Sequence, residues 1–445
     1  MPKKTTADHI VKVPPTVFDQ LLEPVEEFVR NQERELPKHP NQKLGYYDFF
    51  RLLMYFWVSK IGSLKLFINT PLKKGLLPAA LQLRSVPYTT FGEAFERFPV
   101  ATFRRVFQHL LSTVPFRAIP ELSTLGTLYC IDGSLFPVIN SMQWASYTSK
   151  HQSLKLHLCF ELNRMLAVEF LVTAANFSER AALIKMLKAG VTYIADRGYM
   201  SFKVGDEVLK AKAHFVFRVK TGLKLTVTKT LRVQLPKTVA AIFNNVTDEL
   251  IRYTNDEFKH IYRLVCFSIG KEKFHILTDR HDLTTFQVIM LYALRWQIEL
   301  LFRFLKRTIN GIHLIKQDER GVTIQFYTML IAALLELRLK QMTADMDGSD
   351  DAQSSEKISQ ELAEGVNGFD QIPATDTQKE GRGVAGNWDR TPKTAKLLSY
   401  EYQFIENIGK KLYKYWKIGI HWLTALKSLL AEPFDERAVK ILNSS

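Results

Sequence analysis

An α/β fold is predicted for this 445-residue chain, with a mostly helical domain ahead of it and an antiparallel β block inserted within it. Three observations predict it. Up to about residue 124, apolar residues recur three and four apart. From Leu125 the chain turns into short β-rich runs around one capped helix. Between residues 211 and 282, bulky apolar residues alternate with Lys, Arg and Thr at period two.

Residues 1–124 are the helical domain. QLLEPVEEFVRNQERE, YYDFFRLLMYFWVSKIGSLKLF and TTFGEAFERFPVATFRRVFQHLLSTV carry the helical period, with Pro40, Gly75, Pro78, Pro87 and Pro115 between or beside them. Residues 1–125 hold 17 bases against 11 acids, which suits a DNA-binding domain and an ordinary helical packing domain equally well.

Residues 125–210 form the first part of the α/β core. LGTLYCIDGSLFPVI, SLKLHLCFEL, MLAVEFLVT and VTYIADRGY read as strands. SERAALIKMLKAG reads as a helix, with Ser178 as its N-cap, Glu179 at the positive end of its dipole and Gly190 at its stop. In residues 211–282, AHFVFRVK, LKLTVTKTLRVQL, HIYRLVCFSI and KFHILT predict a half-buried antiparallel sheet. Its outer face is basic, since residues 210–273 hold 13 bases against 5 acids.

Residues 283–342 return to the core through LTTFQVIMLYALRWQIELLFRFLKRTI, a leucine-rich run without Gly or Pro that predicts one long helix. Residues 343–395 differ: Thr343 to Arg382 holds ten acids against three bases and almost no large apolar side chain. Such a stretch buries too little surface to offset chain entropy and predicts a mobile insertion or linker. Residues 396–445 read as a basic, aromatic helical segment that packs on the core or on a second subunit.

The whole chain has 60 bases and 45 acids, a formal charge of +15. Setting aside the acidic stretch leaves +22, which points to an anionic partner, nucleic acid first. Cys130, Cys159 and Cys266 stand alone without CxxC spacing, so neither a disulfide framework nor a thiolate zinc site is expected, and a reducing cytoplasm fits. The N-terminus lacks the apolar run of a secretory signal. The most apolar run, Phe326 to Leu335, is broken by Glu336 and Arg338 and falls short of the roughly 20 residues a membrane span needs. No membrane partner is expected.

Three acids stand out. Asp132 interrupts the apolar strand LYCIDGSLF, and Asp196 ends VTYIA at the carboxyl end of its strand, where α/β sheets place ligands. Glu299 lies on the long helix, where Tyr292, Arg295, Glu299 and Lys306 share one stripe within about 60° of arc. A carboxylate in apolar surroundings requires a counter-cation. A ladder of Arg295 and Arg303 on either side of Glu299 would provide one with no functional site at all. Two strands and a helix supplying three acids would instead suit a pair of Mg²⁺ ions bridged by a phosphate.

Tyr292-x2-Arg295-x3-Glu299-x6-Lys306, with IDGS at Asp132 and ADRGY at Asp196 in that order, resembles the Tyr-Arg-Glu-Lys signature of the DDE transposases of bacterial insertion sequences, family four. The resemblance spans roughly residues 125 to 340 and implies an RNase H-like catalytic core with an inserted β subdomain. It implies Asp132, Asp196 and Glu299 as catalytic triad and as ligands of two Mg²⁺ or Mn²⁺ ions, with Tyr292, Arg295 and Lys306 handling DNA near the scissile phosphate.

The implied activity is binding of terminal inverted repeats, endonucleolytic cleavage of the element ends and joining of the 3′-hydroxyl to target DNA. A homodimer on DNA, in a bacterial cytoplasm and near the nucleoid, follows from the same resemblance. Arg303, Lys150, Lys155, His157 and Arg197 are further candidate DNA contacts, because Lys155 and His157 share a strand face and Arg197 adjoins Asp196. For His157 an ordinary packed histidine is the stronger alternative.

One departure concerns base stacking: no Trp lies between Trp144 and Trp296, leaving Phe215, Phe217 or Tyr262 for that role unless they are core. A metal-dependent nuclease or resolvase on the same fold and a non-catalytic DNA-binding derivative are the rival functions.

Overall fold

The computed structural model describes residues 14–38, 40–59, 61, 63–137, 143–145, 153–240, 243–299, 301–302, 314, 316–346, 422 and 425–444. These fall into two compact units. One holds the described residues up to Val114 and from Ile324 onward; the other runs from Pro115 to Thr323.

The first unit is helical, as its periodicity predicts. Helices α1 (Val17–Glu35), α2 (Tyr46–Ser59), α3 (Leu64–Phe67), α4 (Tyr88–Arg97) and α5 (Val100–Thr113) follow one another. Thr16 starts α1 with a capping box, its hydroxyl accepting from the Asp19 N–H while the Asp19 carboxylate accepts from the Thr16 N–H. Phe49 of α2 packs against Phe91 and Phe95 of α4 at 4.9 and 5.1 Å between ring centroids.

The helix Glu319–Met346 completes this unit from Ile324 onward, and Trp57 Nε1 donates to Thr328 Oγ1 at 2.9 Å. It contains an 18-residue stretch apolar enough to cross a membrane, longer than the sequence reading allowed, but 72% of that stretch is buried inside the protein. Burial by neighbouring helices accounts for its apolarity. The helix also carries the chain to Met346, so the acidic segment's first residues, from Thr343, are helical; residues 347–395 lie outside those described.

The second unit is built on one nine-stranded sheet of order β3-β2-β1-β4-β5-β9-β8-β7-β6. The strands are β1 (Thr127–Pro137), β2 (Ser153–Glu161), β3 (Leu166–Ala174), β4 (Val191–Ala195), β5 (His214–Arg218), β6 (Leu225–Thr230), β7 (Asn244–Tyr253), β8 (Tyr262–Ile269) and β9 (Glu272–Thr278). β1, β2 and β3 are antiparallel neighbours, whereas β1, β4 and β5 run parallel. Three helices lie along the chain between the strands: α6 (Glu179–Lys185), capped by Ser178 as expected, α7 (Phe202–Lys210), capped by Ser201, and the short α8 (Lys237–Ala240) between β6 and β7.

The inserted strands do not form a separate sheet. β9 pairs antiparallel with β5 through Val216–Thr278, Phe217–Leu277 and Arg218–Ile276, and β8, β7 and β6 continue outward from β9. β5, which the sequence reading assigned to the insertion, pairs parallel with β4 and so belongs with the core order. Strand β7 escaped the period-two reading because Asn244, Asn245, Asp248 and Glu249 break its apolar alternation. Asp248 is nonetheless buried, forked by Arg263 at 2.8 and 2.6 Å. Phe215, Phe217 and Tyr262 are fully buried, so they are core residues and offer no face to a base.

Candidate active site

β1 and β4 bring two of the predicted acids level. Their parallel ladder pairs Leu128 with Thr192 and Cys130 with Ile194, and Asp132 and Asp196 each stand two residues beyond that last pair. Each aspartate accepts a 2.8 Å hydrogen bond from the N–H of its successor, Gly133 to Asp132 Oδ1 and Arg197 to Asp196 Oδ1. Burial pushes the Asp132 carboxyl up to about 6, against the opposing pull of Arg295 and the Gly133 N–H, while Glu179 and Glu299 add repulsion.

Helix α9 (Thr285–Leu294) leads to the third acid. It begins on a capping box between Thr284 and Gln287. Thr285 Oγ1 donates to buried Asp248 at 2.7 Å, and Arg263 donates to the Arg280 and Leu283 carbonyls, so the paired β7 and β8 fix where this helix starts. The single long helix expected here tightens at Arg295: the N–H groups of Arg295, Trp296, Ile298 and Glu299 bond to carbonyls three residues earlier. Three-residue spacing lines Arg295 up with Tyr292, whose hydroxyl donates to Asp196 Oδ1 at 3.3 Å.

Arg295 Nη2 lies 2.8 Å from Glu299 Oε1, and its guanidinium also acts electrostatically on Asp132 and Asp196. Burial alone would make this arginine less basic, but Tyr292, Glu299 and Asp196 reverse the shift upward. The structure therefore hydrogen-bonds Tyr292 to Asp196 and Arg295 to Glu299, with Asp132 and Asp196 within electrostatic reach of the Arg295 guanidinium. Among the described residues no three acids, histidines or cysteines form a ready-made metal group; Arg295 provides the counter-charge instead. The donors nevertheless suit a hard divalent cation: they are carboxylate oxygens, and Asp132 is a half-buried acid whose ionisation is favoured by positive charge nearby.

Other candidates fare differently. Arg197 is exposed beside Asp196. Lys155 is tied to Glu179, Nζ to Oε1, at 3.3 Å. His157 is fully buried, with Nε2 3.0 Å from Thr173 Oγ1, so it is a core histidine and not a DNA contact. It fits because its cross-strand partner is Gly133, where a side chain would begin 3.3 Å from His157 Nδ1. Lys150, Arg303 and Lys306 lie outside the described residues.

Sequence reasoning missed Arg218 and Glu179. Arg218 ends β5, whose Phe217 pairs with Ala195, the residue before Asp196; its guanidinium lies 4.6 Å from the Phe274 ring and makes the nearby Tyr292 hydroxyl more acidic, against the upward push of burial. A basic residue closing the strand next to β4 was the signal available.

Residues 123–335 match the transposase DDE domain family. A Sinorhizobium fredii protein named as a transposase is 26% identical over 57% of this chain and 72% of its own length. A Geobacillus stearothermophilus protein named as the transposase of insertion sequence element IS5377 is 22% identical over 56% of this chain and 66% of its own. The piggyBac transposase synaptic complex with hairpin DNA aligns over 85% of this chain and 86% of its own at 11% identity, with a TM-score of 0.38 that is too low to carry an inference. Residues 123–335 thus form a transposase DDE domain, of the kind carried by the transposases of insertion sequences.

Proposed function

We propose that this chain is the transposase of an insertion sequence, which binds the element's terminal inverted repeats, cleaves the DNA ends and joins the freed 3′-hydroxyl to target DNA. The observation that carries the reading is the level placement of Asp132 and Asp196 on adjacent parallel strands, with Glu299 joined to both through Arg295. Strand order β3-β2-β1-β4-β5, antiparallel then parallel, supports an RNase H-like core under that site.

In this reading Asp132, Asp196 and Glu299 hold two Mg²⁺ or Mn²⁺ ions. Such a pair supplies an activated water or sugar hydroxyl on one side of the phosphate and stabilises the leaving oxygen on the other. The protein's own part is positioning. Tyr292 orients Asp196, and Arg295 is free to fork onto phosphate oxygens once metal takes over the charge of Glu299. Lys306, Arg303, Lys150, Arg197 and Lys155 supply point charges along the strand being cut. Pairing two element ends calls for two active sites and hence a homodimer on DNA.

Substituting Glu299 by Gln tests the core of this reading. The variant is expected to bind DNA bearing the element's ends as the parent does and to lose Mg²⁺-dependent cleavage, with 3′ ends mapped at nucleotide resolution. Undiminished cleavage would remove Glu299 from the site. Cleavage of branched DNA without joining to a second duplex would mark a resolvase instead.

A further inference from the structure

Two glycines adjoin the level aspartates, Gly133 after Asp132 and Gly198 two residues after Asp196, and one side chain occupies the space beside both. A Cβ at position 133 would lie 3.5 Å from Glu179 Oε1, and a Cβ at 198 would lie 2.8 Å from Glu179 Oε2. The carboxylate is held in place: Lys155, on strand β2 beside β1, lies 3.3 Å from its Oε1. The next residue of α6 grips the same turn, since Arg180 Nε donates to the Gly198 carbonyl at 3.0 Å. Neither glycine has a positive φ, so backbone conformation does not require them. At Gly198 the Glu179 carboxylate takes the place of a side chain, whereas at Gly133 it stands at ordinary contact distance, and His157 and Lys155 crowd that position at 3.3 Å.

We propose that Glu179 is a positioning residue of the active site: seated by Lys155 in the gap left by Gly198 and in contact with Gly133, its carboxylate packs the middle of β1, which carries Asp132, against the turn carrying Asp196. It fixes the separation of the two aspartates. The inference rests on the reading of Asp132 and Asp196 as a metal-holding pair. It gives the glycine of ADRGY a reason, and it assigns Lys155 to the support of Glu179 before any contact with DNA.

The test uses the full-length protein without DNA, titrated with Mn²⁺ while free ion is counted by electron paramagnetic resonance. Glu179→Ala is expected to weaken Mn²⁺ binding about tenfold, the lower end of what residues supporting metal ligands contribute. Glu179→Asp should recover part of that loss. Gly198→Ala pushes the carboxylate aside without removing its charge, and should weaken binding comparably in the parent protein.

Added to Glu179→Ala, the same Gly198→Ala change should cost nothing further, because the group it displaces is gone. A purely structural glycine would show the same loss in both backgrounds, which overturns the proposal. Parent-like Mn²⁺ affinity in Glu179→Ala, alongside lost affinity in Asp132→Asn, overturns the proposal alone. Parent-like affinity in both Asp132→Asn and Asp196→Asn overturns the metal-site reading, and the proposal with it.

Discussion

Arg295 donates to Glu299 at 2.8 Å across one turn of chain, and the same guanidinium draws on the charge of Asp132 and Asp196. In the proposed site this arginine is the counter-ion of those carboxylates. Arg295→Gln is expected to lose about 3 kcal/mol in EDTA, the order found when one partner of a buried ion pair is removed. Mn²⁺ should recover most of that loss. Thermal unfolding with and without Mn²⁺ checks it, and an equal loss under both conditions would show that Arg295 packs but does not stand in for a cation.

Asp132 should make the metal-free fold less stable as pH rises. Its folded carboxyl titrates near 6, above the unfolded range, so its contribution is complete below about pH 4 and is lost as pH climbs through 6. Asp132→Asn is therefore expected to be the more stable protein at pH 7 in EDTA, while failing to bind Mn²⁺. Urea midpoints across pH 4 to 7 (about 0.5 pH unit apart) would show the two curves diverging upward in pH.

His157 acts in the opposite direction. Burial and Lys155 push its imidazole down to about 4, so its contribution is present above the unfolded value near 6.5 and is lost as pH falls through that window toward 4. His157→Gln should flatten the acid side of the stability curve. Because Asp132 and His157 slope against each other over the same range, difference curves between each variant and the parent are the informative measurement.

Asp248 and Arg263 form a buried fork on which α9 is seated. Asp248→Ala leaves the guanidinium uncompensated and should destabilise by about 3–5 kcal/mol in urea unfolding. Replacing both partners by apolar residues should recover much of that loss, since the fork is costly to desolvate. An unchanged midpoint in Asp248→Ala would mean that Arg263 is satisfied by the Arg280 and Leu283 carbonyls alone.

Lys306→Ala should reduce binding to DNA ends and lower the log–log dependence of affinity on salt by about one unit for a lost phosphate contact. A slope equal to the parent's would place Lys306 away from the backbone.

The helical front domain, the strands β1 to β4 and the cap at Ser178 were legible because each depends on nearest-neighbour chemistry: period, punctuation and capping. The two aspartates were legible as charges that apolar strands do not otherwise tolerate. Strand β7 was not, because its buried Asp248 is satisfied by an arginine 15 residues away on β8. The tightening at Arg295 was not, because no Gly or Pro marks it. Glu179 looked like a dipole-capping acid, and only the approach of two distant glycines reveals what else its carboxylate touches.

The three-rung joint between β5 and β9 has an evolutionary corollary. The strands outboard of it join the core through Val216, Phe217 and Arg218 and, at the start of α9, through Asp248 and Arg263, and the chain leaves and re-enters the core at neighbouring positions. A graft of different length needs a returning strand able to match that short ladder and a polar pair able to seat α9. A block that meets both conditions is exchangeable as a cassette without re-solving the geometry of the acids.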